Sequence, residues 1–169
     1  MASIVDHNLS TFNVAVSIGN PITTGSVAWQ TGDRVVFFGG IEEDGGSILL
    51  NTPTATGLTF SPLASPDQTA SQCWGGMWHA VAGSNGSGAV SATIAGGTFT
   101  CGAHVWVIRG DGGLGATPII SMIGTSLTAS LNTTAGSIVL GAMFDYNLRD
   151  TGYTGTPSSP TPTERTEGQ

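Results

Sequence analysis

Cys73, His79, Cys101 and His104 have the residue types of a metal site. Two thiolates and two imidazoles are a set that tetrahedral zinc accepts. Their spacing works against it. In extended chain Cys73 and His79 stand ~20 Å apart at ~3.3 Å per residue. Cys101 and His104 are an odd number of residues apart and so point to opposite faces. The expectation is therefore no zinc and no other cofactor. The cysteines then read as small buried thiols and the histidines as core-edge rings with a hydrogen-bond partner. A Cys73–Cys101 bridge stays open, because it turns on geometry and redox compartment.

The carboxylates are weighed in the same way. Glu42, Glu43 and Asp44 lie in a Gly-rich stretch that offers oxygen ligands to calcium. A solvated loop tip explains them with fewer assumptions. Adjacent acids on an extended loop diverge, so Glu42 and Glu43 do not make a glycosidase pair. Asp145, Asn147 and Asp150 begin like a calcium loop, but the next ligand and glycine places hold Arg149 and Asp150. There is no G-x-S-x-G elbow. The run Gly110-Asp-Gly-Gly-Leu-Gly115 lacks the Lys-Ser/Thr ending of a phosphate loop. No catalytic residue is assigned, and the chain is expected not to be an enzyme. Trp29, Trp74, Trp78 and Trp106 remain. Exposed tryptophans stack on sugars, which makes these four the candidate glycan contacts. The competing reading is core packing, since three of them lie inside strong strand patterns.

The elements that would position these side chains read as strands. Thr11 to Ile18 alternates, with Phe12, Val14, Val16 and Ile18 on one face. Val35 to Phe38 is a continuous apolar run between Asp33 and Gly39-Gly40, as in a strand buried on both faces. Ser47 to Leu50 and Thr59 to Leu63 are short strands. Gln72 to Ala82 is long, with Trp74 and Trp78 opposite Met77, His79 and Val81. Ala89 to Ile94 alternates Val90, Ala92 and Ile94. Phe99 to Ile108 sets Trp106 and Ile108 opposite Val105 and Val107. Ile119 to Ile123, Leu127 to Leu131 and Ile138 to Phe144 complete the series. Asn85-Gly86 marks a flexible hairpin connection, and Asp44-Gly45 and Asp111-Gly112 mark turns. Ala95-Gly96-Gly97 is a tight link. No segment shows a capped 3.6-residue apolar stripe. About ten short strands with turns every 8–12 residues predict an all-β antiparallel β-sandwich of the jelly-roll or immunoglobulin-like kind over 1–153.

Charge narrows the function classes. Lysine is absent, and the cations are Arg34, Arg109, Arg149 and Arg165 against 11 acids, for a net charge of -7. Four scattered arginines make no basic face for phosphates, so nucleic acid is not an expected partner. An anionic membrane surface would repel the chain, and no apolar run approaches the ~20 residues of a spanning helix. The opening MASIVDHNLS has neither a basic region nor a long apolar one. The expectation is a chain left in the cytoplasm or carried out within a particle.

Residues 154–169 differ from the rest. Thr154, Pro157, Pro160 and Pro162 belong to a polar stretch without a large apolar side chain. It cannot fold alone, so an extended tail is expected, with these four as candidate subunit contacts. Prolines lower the entropy lost when such a tail is laid along a neighbour. The scarcity of charge, and of lysines that would blunt sheet edges, points the same way.

Several segments, taken in order, carry a family resemblance. They are GSVAWQTGDRVVFFGG (25–40), TPTATGLTFSPL (52–63), the strand Cys73 to Ala82, SGAVSATIAGG (87–97), AHVWVIRGDGG (103–113) and TTAGSIVLGAMFDYN (133–147). This order resembles the β-sandwich domains of tailed-bacteriophage virion proteins, especially minor tail proteins of actinobacterial phages. The resemblance implies a structural or adhesive module of a virion, assembled in the host bacterial cytoplasm, with no cofactor and no catalytic residues. Its implied partners are capsid or tail subunits, copies of itself and, in the adhesive form, a host surface glycan. Domains of that kind continue with further strands after the region of Asp145, where this chain has its Pro/Thr tail. Either those strands are absent or a neighbour supplies them, and a head decoration protein stands beside a minor tail protein.

Overall fold

The computed structural model describes residues 2–9, 13–17, 21–42, 49–67, 73–95, 98–115 and 137–140. Among them there is no helix, and all strand pairing is antiparallel. The chain is an all-β sandwich. Its strands are β1 (Ser3–Leu9), β2 (Asn13–Ser17), β3 (Pro21–Thr23), β4 (Val27–Trp29), β5 (Arg34–Glu42), β6 (Leu49–Leu50), β7 (Ser61–Asp67), β8 (Cys73–Val81), β9 (Gly86–Gly88), β10 (Ser91–Ala95) and β11 (Thr98–Arg109). The large sheet runs β1-β11-β5-β8-β7, with β2 also paired to β11. Opposite it lie a three-stranded sheet, β3-β10-β6, and a two-stranded one, β4-β9.

The side-chain period of two explains the layers. Val35, Phe37 and Ile41 on β5, Trp78 and Ala80 on β8, and Cys101, Ala103, Val105 and Val107 on β11 face inward. They meet Ile22, Val27, Trp29, Leu50, Ala92 and Ile94 from the smaller sheets, with Val90 and Phe60 between. Burying one such Val, Leu, Ile or Phe side chain stabilises the fold by ~1.5–3 kcal/mol. The alternate residues form a second apolar layer on the outer face of the large sheet. Val36, Trp106 and Ile108 are buried there, with Ile4, Phe38, Leu63 and Met77 packed against them, and Ile138 and Leu140 from a later segment. The run Val35 to Phe38 is thus a strand with apolar neighbours on both faces.

Two glycines have a visible cause. Gly32 holds φ 86° in a turn closed by Asp33 N–H on Gln30 O at 3.0 Å, a backbone region that glycine enters without penalty. Gly76 lies against the Trp78 ring, and a Cβ there would run into it.

Several expectations are corrected. Glu42 is not at a loop tip: its backbone is the end of β5, paired with Thr100 on one side and Cys73 on the other. Glu43 and Asp44, and the Asp44-Gly45 turn, lie outside the described residues. Asn85-Gly86 is not a bare hairpin link, because Gly86–Gly88 is a strand paired with β4. The expected separation of two strands at Gly96-Gly97 holds, since β10 ends at Ala95 and β11 begins at Thr98, and the two strands belong to different sheets. Residues 138–140, expected to begin a strand, have no strand assignment. The expected strands 119–123 and 127–131 lie outside the described residues. β1, β3 and β4 have no counterpart among the expected strands.

Candidate functional site

The charged side chains gather where β5 begins and β11 ends. Register places Arg34 opposite Ile108 on one side and Val81 on the other. The dipeptide Asp33-Arg34 therefore meets Arg109 and Asp111 across the β5–β11 pair. Asp33 is 2% exposed. Arg109 forks onto it, Nε to Oδ1 at 2.9 Å and a terminal nitrogen to Oδ2 at 2.8 Å. Gln30 N–H adds a third bond at 2.8 Å. The Arg109 hydrogen bonds outweigh burial and hold the Asp33 carboxyl below 3.8.

Strand alternation puts Arg34 on the other face, beside Val36 and Phe38. Its guanidinium is paired with Asp111 and reaches His79 Nδ1 at 2.7 Å. Burial pushes the Asp111 carboxyl up, but hydrogen bonds from Arg34 and Gly113 N–H and the neighbouring positive charge bring it below the usual value. His79 is lowered by burial first and by the Arg34 charge second. A guanidinium has no acceptor, so Nδ1 must accept and Nε2 carries the ring proton. The Nδ1 lone pair that a general base would use is taken by a group that does not give up its proton. The arrangement can lock strand ends together, and it leaves Asp111 and His79 committed to Arg34.

A second set of polar contacts joins β1 to β4. Asp6 and Asn8 stand two apart on β1. Asp6 Oδ2 accepts Ala28 N–H at 2.7 Å, and Asn8 Nδ2 donates to Ser26 O at 3.2 Å. The free side of β4 thus finds side chains where a neighbouring strand would have put backbone.

The residues singled out from sequence fall in several places. Trp29, Trp78 and Trp106 are 4%, 4% and 5% exposed, so these three present no open face to a sugar. Core packing takes them because each stands on the apolar side of its strand. Trp74 has a described backbone, opposite Ile41, but its side chain lies outside the described set. Thr154, Pro157, Pro160 and Pro162 lie outside the described residues, as do Asp145, Asn147 and Asp150. Cys101 is fully buried and free, and burial raises its thiol to about 11. Cys73 and Cys101 sit on β8 and β11 with β5 between them. Two strand spacings put their Cα atoms more than ~9 Å apart, beyond the ~7 Å that a disulfide spans. The bridge is thereby excluded. Cys101 faces the core, whereas His104 lies on the outer side with Trp106, so these candidate ligands do not converge. Among the described residues no group of three or more His, Cys, Asp or Glu is placed to hold a metal.

His104 is 9% exposed. Its ring stacks on Trp106 with centroids 4.1 Å apart and faces His7 at 5.7 Å. Burial, with a smaller contribution from His7, lowers it to about 4.

Sequence reasoning passed over Asp33, Arg34, Arg109 and Asp111 as chemistry. Their signal was an Asp-Arg opening one strong strand and an Arg-Gly-Asp closing another, which acquires meaning only when those strands pair. Asp6 and Asn8 had no signal beyond their spacing. Comparison of the chain with protein families, curated proteins and solved structures gives no match.

Proposed function

We propose that the chain is a structural protein of a tailed-phage virion, a minor tail or head decoration protein. It acts through contacts with capsid or tail subunits and with copies of itself. One observation supports this above the others: every charged side chain that the structure describes is bonded within the chain. Asp33 holds Arg109, Arg34 holds Asp111 and His79, and Asp6 holds Ala28 and His7. The rest of the described surface is uncharged, with exposed Thr, Ser and Asn side chains beside the apolar Val5, Val81, Leu114 and Val139. Close packing of identical copies brings like surfaces together, and a surface with few unpaired charges meets little repulsion. In this proposal residues from Thr154 onward, with Pro157, Pro160 and Pro162, lie along a neighbouring subunit by strand addition.

Deletion of residues 154–169 tests it. The truncated protein should keep its β-sheet circular dichroism and lose incorporation into particles, measured by mass spectrometry of purified virions. Equal incorporation of the truncated and full chains would refute the tail contact. Absence of the full chain from the particles would refute the virion role itself.

A further inference from the structure

We propose that the His7–His104–Trp106 cluster is an acid-sensitive lock on the edge strand β1, which separates from β11 when His104 is protonated. The inference is independent of the virion role.

All three histidines of the chain stand on the outer face of the large sheet. His7 is opposite Trp106, Trp106 is opposite Val36, and Val36 is opposite His79, forming a row across β1, β11, β5 and β8. His104 lies in the next row, between Leu9 on β1 and Phe38 on β5. The His7 and His104 rings thus face each other across the β1–β11 pair, 5.7 Å between centroids. His7 Nδ1 is buried and has no hydrogen-bond partner among the described residues. A proton gained by His104 would place a charge beside the His7 ring, in a layer made of Val36, Ile108, Ile4, Phe38 and Met77.

The described side chains around the pair are mostly apolar. β5 offers Phe38, and the segment 137–140 offers Ile138 and Leu140. β8 offers Met77 and His79, the latter held by Arg34, which is itself paired with Asp111. Asp6 projects to the other face, with its oxygens on Ala28 N–H and His7 N–H.

Proton linkage fixes the direction. The ordinary histidine value is 6.5 and the packed His104 titrates at about 4, so the opened state binds the proton more tightly. The stability due to a neutral His104 is complete above 6.5 and is lost as pH falls from 6.5 toward 4. At pH 5 this multiplies the ratio of open to closed by ~30. β1 is the element that yields. It is an edge strand with a register shift between Ile4 and Asp6, whereas β11 is held to β5 by unbroken register from Thr100 to Ile108.

Hydrogen exchange of the full chain tests the lock. After correction for the intrinsic pH dependence of exchange, protection of the β1 amides should fall ~20-fold from pH 7 to pH 5, while β10 keeps its protection. His104→Phe should abolish that extra fall. If this variant does not fold, His7→Gln, which removes the neighbouring ring that helps lower His104, should reduce it. Unchanged β1 protection, an equal fall in the folded variant, or loss of protection in β1 and β10 together would each overturn the proposal.

Discussion

The sandwich has two outer faces, and they are made of opposite materials. On the three-stranded sheet Thr23, Asn51 and Thr93 are exposed. Their polar atoms bond sideways, Thr23 to the Ser91 hydroxyl at 2.8 Å and Asn51 to the Thr93 hydroxyl at 2.8 Å. On the large sheet the corresponding layer is Val36, Trp106 and Ile108, all buried, with His104 among them. One face is finished by water. The other is an interior surface that needs further chain on top, and Ile138 and Leu140 are the described part of that covering. The difference shows that a two-layer description holds for the small sheets only.

Trp106→Ala probes the comparison most severely. A large buried side chain on a face that packs like a core should cost ~3–5 kcal/mol on truncation, read from the urea unfolding midpoint. A loss below ~0.5 kcal/mol, the range of ordinary surface changes, would mean that the outer face is surface after all.

Asp33→Ala should follow, at ~1–3 kcal/mol, because it removes the buried acceptor of the Gln30 N–H and releases the Arg109 fork. It also has a pH signature. The Asp33 carboxyl is held below 3.8 in the fold, so its contribution is complete above 3.8 and disappears as pH falls through the folded value. Thermal unfolding of the wild-type protein should weaken over that acid range, and the variant should lack this part of the slope. Asp6→Ala should cost ~1 kcal/mol, the worth of one ordinary hydrogen bond, seen as faster amide exchange at Ala28. Thr93→Ala on the solvated face should stay within ~0.5 kcal/mol in the same urea assay. If Thr93→Ala matched Trp106→Ala, the two faces would not differ in the way described.

The elements legible in the sequence were those whose residues carry their own period. Val105 and Val107 opposite Trp106 and Ile108, and Val90, Ala92 and Ile94 on one side of β10, announce which face is buried. The run Val35 to Phe38 announces burial on both faces by having no polar alternate. β9 could not be read this way, since Gly86-Ser87-Gly88 has no apolar side chain and becomes a strand only because β4 lies beside it. β1 mixes polar and apolar residues because it serves two neighbours. His7 turns toward the outer layer while Asp6 and Asn8 turn toward β4. The polar cluster was hidden for the same reason, as Arg34 and Asp111 are far apart in sequence and meet through β-sheet register.

The contact of Asp6 and Asn8 with β4 has a consequence for tolerance to substitution. These side chains bind the amide of Ala28 and the carbonyl of Ser26, groups that nearly every amino acid supplies. In a saturation library scored for folded protein, positions 26 and 28 should accept most residues, with proline at 28 failing because it has no N–H. Positions 6 and 8 should accept few, because the chemical information in this contact resides on one partner alone.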